Sequence, residues 1–431
     1  MFATLPALEA DIEKFIANGR FNDALANILV GVHNHCKTPD VARKFLFYPN
    51  LDRHIDTLSH AVSASCPKNG ERPISSNTLI IASEMYPVGG HSRVIADVAA
   101  EVNSPTIVLT DMLWKLRQNP DSVNWLLESF TNATVILLIQ TTLWEKCRAL
   151  CLLTQRLQPQ TIFYFNHHED PIPFAGTLRH AGSRKMLVHH CDHNPSLGNT
   201  LASVEHVDFN EEMANSCSSY LNRDAHVLPL YVPEGGKKVF PATVHRAFSV
   251  VTSGADHKYA RKGDLALQNI IRASLEVIDG FFFHIGHLDD GWIEEIKLYL
   301  KICGIDPTRF RPVGGVTSLW STLASIDAHL YIGSAPVGGG RAAIEAQGCG
   351  YPVAFFKVAD QGPALGVSSL YANSSLGWSN LMELTALLET VAPRLGDLSL
   401  TARALYDRQF SRTEFVRVLH QLTETPTTAD L

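Results

Sequence analysis

The sequence predicts an α/β protein with two domains in series, each built around a mostly parallel sheet, behind a helical front. Three observations carry this expectation. The 431 residues exceed what one hydrophobic core comfortably organises. From Asn77 onward, short β-branched and aromatic runs alternate with helix-sized segments, the pattern of βαβ units. Before that point, apolar residues recur at helical spacing.

In residues 1–72, Leu8, Ile12, Phe15 and Ile16 mark one amphipathic helix, and Ala24, Leu25 and Leu29 mark a second beyond Gly19. Residues 73–238 form the first α/β domain, with TLIIAS, TIVLT, TVILLI, TIFYF, KMLVHH and VDF as strands and a helix starting near Ser92. The polar, Gly-rich stretch 233–238 reads as a linker. Residues 239–395 repeat the alternation with AFSVVTSG, GFFFHIG, FRPVG, AHLYIG and PVAFF. Residues 396–431 read as C-terminal helices that pack back on the first domain. The outline is two Rossmann-like halves.

Composition narrows the function. Apolar residues make up 45% and charged residues 18%, the balance of a folded globular chain. A net charge of -7 offers no electrostatic footprint for nucleic acid, so phosphate recognition has to be local. The eight cysteines form no CxxC pair, and the start lacks a basic-then-apolar leader, so a cytoplasmic protein with reduced thiols is expected. Apolar runs such as 135–139 are too short to cross a bilayer, which leaves only peripheral membrane contact.

The sharpest chemical signal is AHLYIGSAPVGGGRAAIEAQGCGYPVAFF. It reads as a strand, a loop with Gly338, Gly339 and Gly340, a helix opening near Arg341 and Ala342, and a further strand after Gly350-Tyr351-Pro352-Val353. Glycines let backbone N–H groups approach a phosphate, and a helix N-terminus adds about half a positive charge. Glu345, one turn inside, is placed to accept the hydroxyl protons of a ribose, and Arg341 supplies a further cation. A Gly-rich strand-to-helix turn without a ligand has the same pattern.

This stretch resembles the nucleotide-sugar site of GT-B glycosyltransferases, in which a Gly-containing loop, a small-residue helix start, an acidic ribose ligand and a Gly-x-Pro-Val tail recur in that order. AFSVVTSGADHKYARKGD is similar to the first strand and loop of the GT-B donor domain, so the resemblance implies donor contacts at Ser253 and Gly254 and diphosphate neutralisation by Lys258, Arg261 and Lys262. FRPVGG is similar to the strand that meets the base, with Val313 beside it. The order and spacing resemble bacterial glycosyltransferases and the catalytic region of O-GlcNAc transferase-like enzymes. Many retaining GT-B enzymes carry two glutamates seven residues apart; Val337 stands where the first would be, which leans towards inversion.

In open parallel sheets, ligands sit outside the carboxyl ends of strands. Three such ends in the first half are rich in acid–base groups: Glu84, Gly89, Gly90, His91 and Arg93; His167, His168, Glu169 and Asp170; His189, His190, Asp192 and His193. Transfer of a sugar to a hydroxyl or amide needs a base for the acceptor proton and donors for the departing diphosphate. The GGHSR turn is similar to the acceptor-side loop of GT-B enzymes, where a Gly-x-His step sets a histidine beside the donor. His91 is therefore the expected catalytic residue, with Asp192 or His193 as rival bases, and Gly89 and Gly90 approach the diphosphate.

His189, His190, Asp192 and His193 include metal-ligand types, but adjacent residues rarely face one ion, so no metal is expected. No cofactor is expected beyond a nucleotide-diphosphate sugar as co-substrate, taken as a UDP-sugar, with a glycan, lipid-linked or protein acceptor bound by the first half in an interdomain cleft. A UDP-sugar 2-epimerase of the same fold and a non-catalytic sugar-nucleotide-binding subunit are the alternatives. A dehydrogenase fits worse, because no GxGxxG follows the first strand with an acidic residue downstream.

Overall fold

The structure is a computed structural model that describes residues 3–38, 45–67, 77–87, 90–189, 195–240, 247–357 and 368–424. The chain divides into two compact units. Unit 1 comprises 1–229, 361–366 and 416–431, and unit 2 comprises 230–360 and 367–415.

Unit 1 carries a seven-stranded parallel sheet made of β1 (Thr78–Ala82), β2 (Thr106–Leu109), β3 (Thr134–Leu137), β4 (Thr161–Phe165), β5 (Arg184–Val188), β6 (Glu205–Asp208) and β7 (Ala225–Val227). Their order is β3-β2-β1-β4-β5-β6-β7. The continuous apolar runs explain the arrangement. TLIIA and TIFYF are buried at every position, as central parallel strands covered on both faces require, whereas β3 at the edge is partly exposed.

The front helices, Pro6–Ala17 and Phe21–Cys36, and a third, Pro49–Ser65, share one apolar core with this sheet. Ile12, Leu25, Ile28 and Ile55 pack into the same cluster as Leu79, Ile81, Ile162 and Tyr164. Gly19, at φ +69°, makes the turn between the first two helices, a conformation that a side chain disfavours.

A buried polar knot holds the middle of unit 1. Asp170 accepts hydrogen bonds from Ser83 Oγ (2.7 Å), Thr110 Oγ1 (2.6 Å) and the Ile172 N–H (2.9 Å). Lys146, fully buried on the helix Leu143–Leu157, donates to the carbonyls of Thr110 and Asp111 and lies over the Trp114 ring. These contacts tie the carboxyl ends of β1, β2 and β4 together.

At the far side of the same sheet, Glu205 on β6 takes a bidentate contact from Arg184 on β5 (2.7 and 2.6 Å) and a third from His226 on β7 (2.9 Å). Burial pushes the Glu205 carboxyl up, but hydrogen bonds from His226 and Arg184 outweigh it and hold the group at about 2, against an ordinary 4.5. A depressed carboxyl contributes stability above its unfolded pKa and loses it as pH falls through the folded one. Glu205→Gln should therefore lose stability at neutral pH and show a shallower acid transition between about pH 4.5 and 2. Circular dichroism across an acid titration reads this out, and identical slopes for both proteins count against it.

Unit 2 carries a six-stranded parallel sheet made of β8 (Val250–Ser253), β9 (Phe282–Ile285), β10 (Phe310–Gly314), β11 (Leu330–Ile332), β12 (Val353–Phe356) and β13 (Gly377–Trp378). The order is β10-β9-β8-β11-β12-β13. The eleven apolar runs named from sequence all contain strands; the two remaining strands, β7 and β13, are three and two residues long.

The stretch expected as a linker is fixed on unit 2. Lys238 donates its backbone N–H to the Cys349 carbonyl (2.7 Å) and its ammonium to the Ala328 carbonyl (2.9 Å), and Trp320 donates its indole N–H to the Gly236 carbonyl. Tyr406 bonds the Val232 carbonyl (2.7 Å) and meets Trp320 edge-on, so the helix Leu395–Leu405 and the turn after it pack on the helix Gly340–Cys349.

Candidate functional site

The unit 2 site begins with strand order. β8 connects to β9 on one side, and β11, its other neighbour, connects to β12 on the opposite side. Where successive connections diverge in this way, the loops leave a crevice at the carboxyl ends of the strands. The loop after β8 and the loop after β11 meet there: Tyr259 bridges Pro336, the Val337 N–H reaches the Lys258 carbonyl (3.3 Å), and Lys258 Nζ donates to the Gly338 carbonyl (3.1 Å).

Two features expected separately, a cation and a glycine turn eighty residues on, are thus joined. Ser334 Oγ holds the turn by donating to the Val337 carbonyl (2.8 Å). The helix Gly340–Cys349 follows, with Gly339, which has no side chain to cap it, as its N-cap. Such an end concentrates unsatisfied N–H groups and the positive pole of the helix. Arg341 and Ala342, both partly exposed, form its first turn.

Glu345, one turn further in, accepts the Trp320 backbone N–H through Oε2 (3.2 Å). It therefore also caps the helix Leu319–Ser325, a structural role beside the one expected from sequence.

A floor of glycines supports this loop cluster. Gly254 after β8 donates to the Ile285 carbonyl (3.0 Å), and Gly286 after β9 donates to the Gly314 carbonyl (2.8 Å). Gly286 has φ +131°, and a Cβ there would stand 2.2 Å from the Gly254 carbonyl oxygen. Only a residue without a side chain allows this approach. Sequence reasoning missed Gly286; the signal was its position right after a strand, matching Gly254.

Ser253 is buried with its hydroxyl on Tyr331 OH (2.6 Å). Arg261 pairs with Asp256 (3.1 Å) and lies over the Trp292 ring, and Lys262 beside it is exposed. Val313 is exposed on β10, with β9 between it and β8.

Unit 1 has its own switch point between β1 and β4. Gly90 opens the helix Gly90–Glu101, which brings His91 to the end of β4: Nε2 lies 2.9 Å from the Phe165 carbonyl. A carbonyl only accepts, so Nε2 carries the proton and Nδ1 the lone pair. Burial lowers the imidazole to about 3, and the neighbouring His167 ring, 6.1 Å away, pushes in the same direction. His91 is accordingly neutral across the physiological range.

Glu84, two residues past β1, is buried, and burial raises its carboxyl to about 7; Tyr86 donates its hydroxyl to Oε2. At the end of β4, His168 (2.9 Å) and His33 (3.2 Å) pair with Glu169. Gly89, Asp192 and His193 lie outside the described residues, as does His190. His189 is described; its ring points to His206 and Asp208.

The sequence matches no protein-family model and no curated protein. Solved structures do match. A glycosyltransferase from Rickettsia africae ESF-5 is 11% identical with TM-score 0.58, over 82% of this chain and 100% of that one. Anabaena HepE, in complex with UDP and glucose, is 15% identical with TM-score 0.54, over 80% of this chain and 98% of that one. A Thermobaculum terrenum O-GlcNAc transferase mutant is 13% identical with TM-score 0.50, over 95% of this chain and 79% of that one. At these identities the likeness establishes the fold: the chain has the GT-B architecture of two Rossmann-like units.

Proposed function

We infer that this protein is a glycosyltransferase that moves a sugar from a nucleotide-diphosphate donor, a UDP-sugar, to a hydroxyl or amide acceptor with inversion. The observation that carries the reading is the junction of Lys258 with the glycine turn before the helix Gly340–Cys349, at the strand switch point of unit 2. The ammonium and the helix N-terminus together suit a diphosphate, whose charge grows as the glycosidic bond breaks. HepE of the same fold holds UDP and glucose, which supports the donor class.

In the reaction, the acceptor oxygen, or the nitrogen of an amide, attacks the anomeric carbon while the bond to the diphosphate breaks, and the acceptor proton leaves to a base. His91 Nδ1 is the proposed base, with Asp192 and His193 as rivals. Burial keeps its basicity low in the unliganded protein, and an anion beside the ring would raise it, because opposite charge favours the imidazolium. Lys258, Gly338, Gly339, Gly340 and Arg341 hold the leaving diphosphate, and Glu345 takes the ribose hydroxyls.

The test is calorimetric titration with UDP, GDP, dTDP and CMP, followed by turnover with the sugar donors. Failure of every nucleotide and every sugar nucleotide to bind would falsify the reading. Incubation of a bound UDP-sugar without acceptor separates the alternatives: epimerised donor indicates a 2-epimerase, and unaltered donor whatever acceptor is offered indicates a binding subunit. Lys258→Ala should weaken UDP binding by about 10- to 100-fold, the worth of a charged hydrogen bond, and leave uridine binding unchanged. Equal loss for UDP and uridine would point to disrupted folding.

A further inference from the structure

Away from both switch points, four metal-ligating side chains converge inside unit 1: His189 after β5, His206 and Asp208 on β6, and Cys217 on the helix Glu211–Leu221. All four are buried, and their donor atoms lie within 4.8 Å of one another. His206 and Asp208 are two apart on a strand, which sets both on one face, and the helix that follows β6 lays Cys217 over it.

We propose that His189, His206, Asp208 and Cys217 form a structural zinc site that clamps β5 and β6 to the helix Glu211–Leu221.

Geometry, satisfaction and charge support it. His189 Nδ1 lies 3.2 Å from Asp208 Oδ1, His206 Nε2 3.1 Å from Asp208 Oδ2, and Cys217 Sγ 3.8 Å from His189 Nδ1. Donors on a tetrahedral zinc stand about 3.3–3.6 Å apart, given its bond lengths to nitrogen and sulfur; the His189–Asp208 and His189–Cys217 pairs bracket that spacing, and the four donors, one atom from each residue, lie within 4.8 Å of one another and would close up on the ion. His206 Nε2 and Asp208 Oδ2 are buried at an ion-pair distance of 3.1 Å, at which neither makes a well-directed hydrogen bond.

A carboxylate at 1% exposure also needs compensating charge. Zn²⁺ with one thiolate, one carboxylate and two neutral imidazoles is a neutral group, and the thiol proton leaves to solvent as the metal binds. Two nitrogens, one sulfur and one oxygen are zinc's ligand types, and a buried closed set of four is the structural kind of site. The sequence-based expectation of no metal weighed His189 with His190, Asp192 and His193. It could not see that β6 and the next helix supply the partners.

The full chain, purified without chelator, should retain stoichiometric zinc through gel filtration by elemental mass spectrometry. Exchange for Co²⁺ should produce a thiolate-to-metal charge-transfer band, and chelation should lower the melting temperature. Cys217→Ser should abolish the band and weaken Zn²⁺ binding at least tenfold, whereas Cys303→Ser, at an exposed cysteine, should change neither. Wild-type protein that binds neither Zn²⁺ nor Co²⁺ at micromolar concentration overturns the proposal, as does unchanged zinc content in a folded Cys217→Ser variant. The wild-type measurements decide the matter even if the variant does not fold.

Discussion

His91→Ala should lower kcat by about 100- to 10,000-fold, the usual contribution of a positioned general base, while UDP affinity changes little. The separation follows from geometry. His91 is held by the Phe165 carbonyl in unit 1, and the residues assigned to the diphosphate belong to unit 2. Steady-state kinetics with a saturating donor, paired with calorimetry, distinguishes loss of the base from loss of binding. His91→Gln provides a second reading: it keeps a polar side chain near the Phe165 carbonyl but cannot accept the proton. Unchanged kcat in both variants removes His91 from the mechanism and leaves Asp192 or His193 to be tested in the same way.

The second large effect is on stability. Asp170→Ala should destabilise unit 1 by about 3–5 kcal/mol, the cost of removing one partner from a buried charged network. Burial raises the Asp170 carboxyl, and the hydrogen bonds from Thr110 and Ser83 work against that rise, so the group is dependent on its donors. Removing it leaves two hydroxyls and the Ile172 N–H short of an acceptor at once, and takes a negative charge from beside the Lys146 ammonium. Urea denaturation followed by a probe in unit 1 measures the shift. A change below about 1 kcal/mol would place the network among ordinary surface contacts.

Much of the fold can be read in the sequence for a physical reason. Parallel strands buried on both faces need unbroken apolar runs, and TLIIA, TIFYF and VAFF are such runs. The glycine turn was equally visible, as three consecutive glycines between a strand and a helix.

What stayed hidden depends on contacts between distant segments. Lys258 and Gly338 each stood out alone, but their hydrogen bond depends on β8 and β11 being neighbours. Arg261 and Lys262 looked equivalent to Lys258 in a basic loop, yet Arg261 turns to Asp256 and Trp292, a choice set by local packing. The cluster of His189, His206, Asp208 and Cys217 shows no motif spacing because it draws on two strands and a helix. Only His-x-Asp within β6 hinted at it.

Lys146 offers a way to watch the molecule open. Its amine is sealed inside unit 1 against two carbonyls and an indole ring, so acylating reagents that modify surface lysines cannot reach it in the folded protein. Modification at that position would record the fraction of molecules that have opened there, in a complex mixture and without any assay of activity. A peptide-mapping time course at Lys146 is thus a built-in clock for the integrity of this unit.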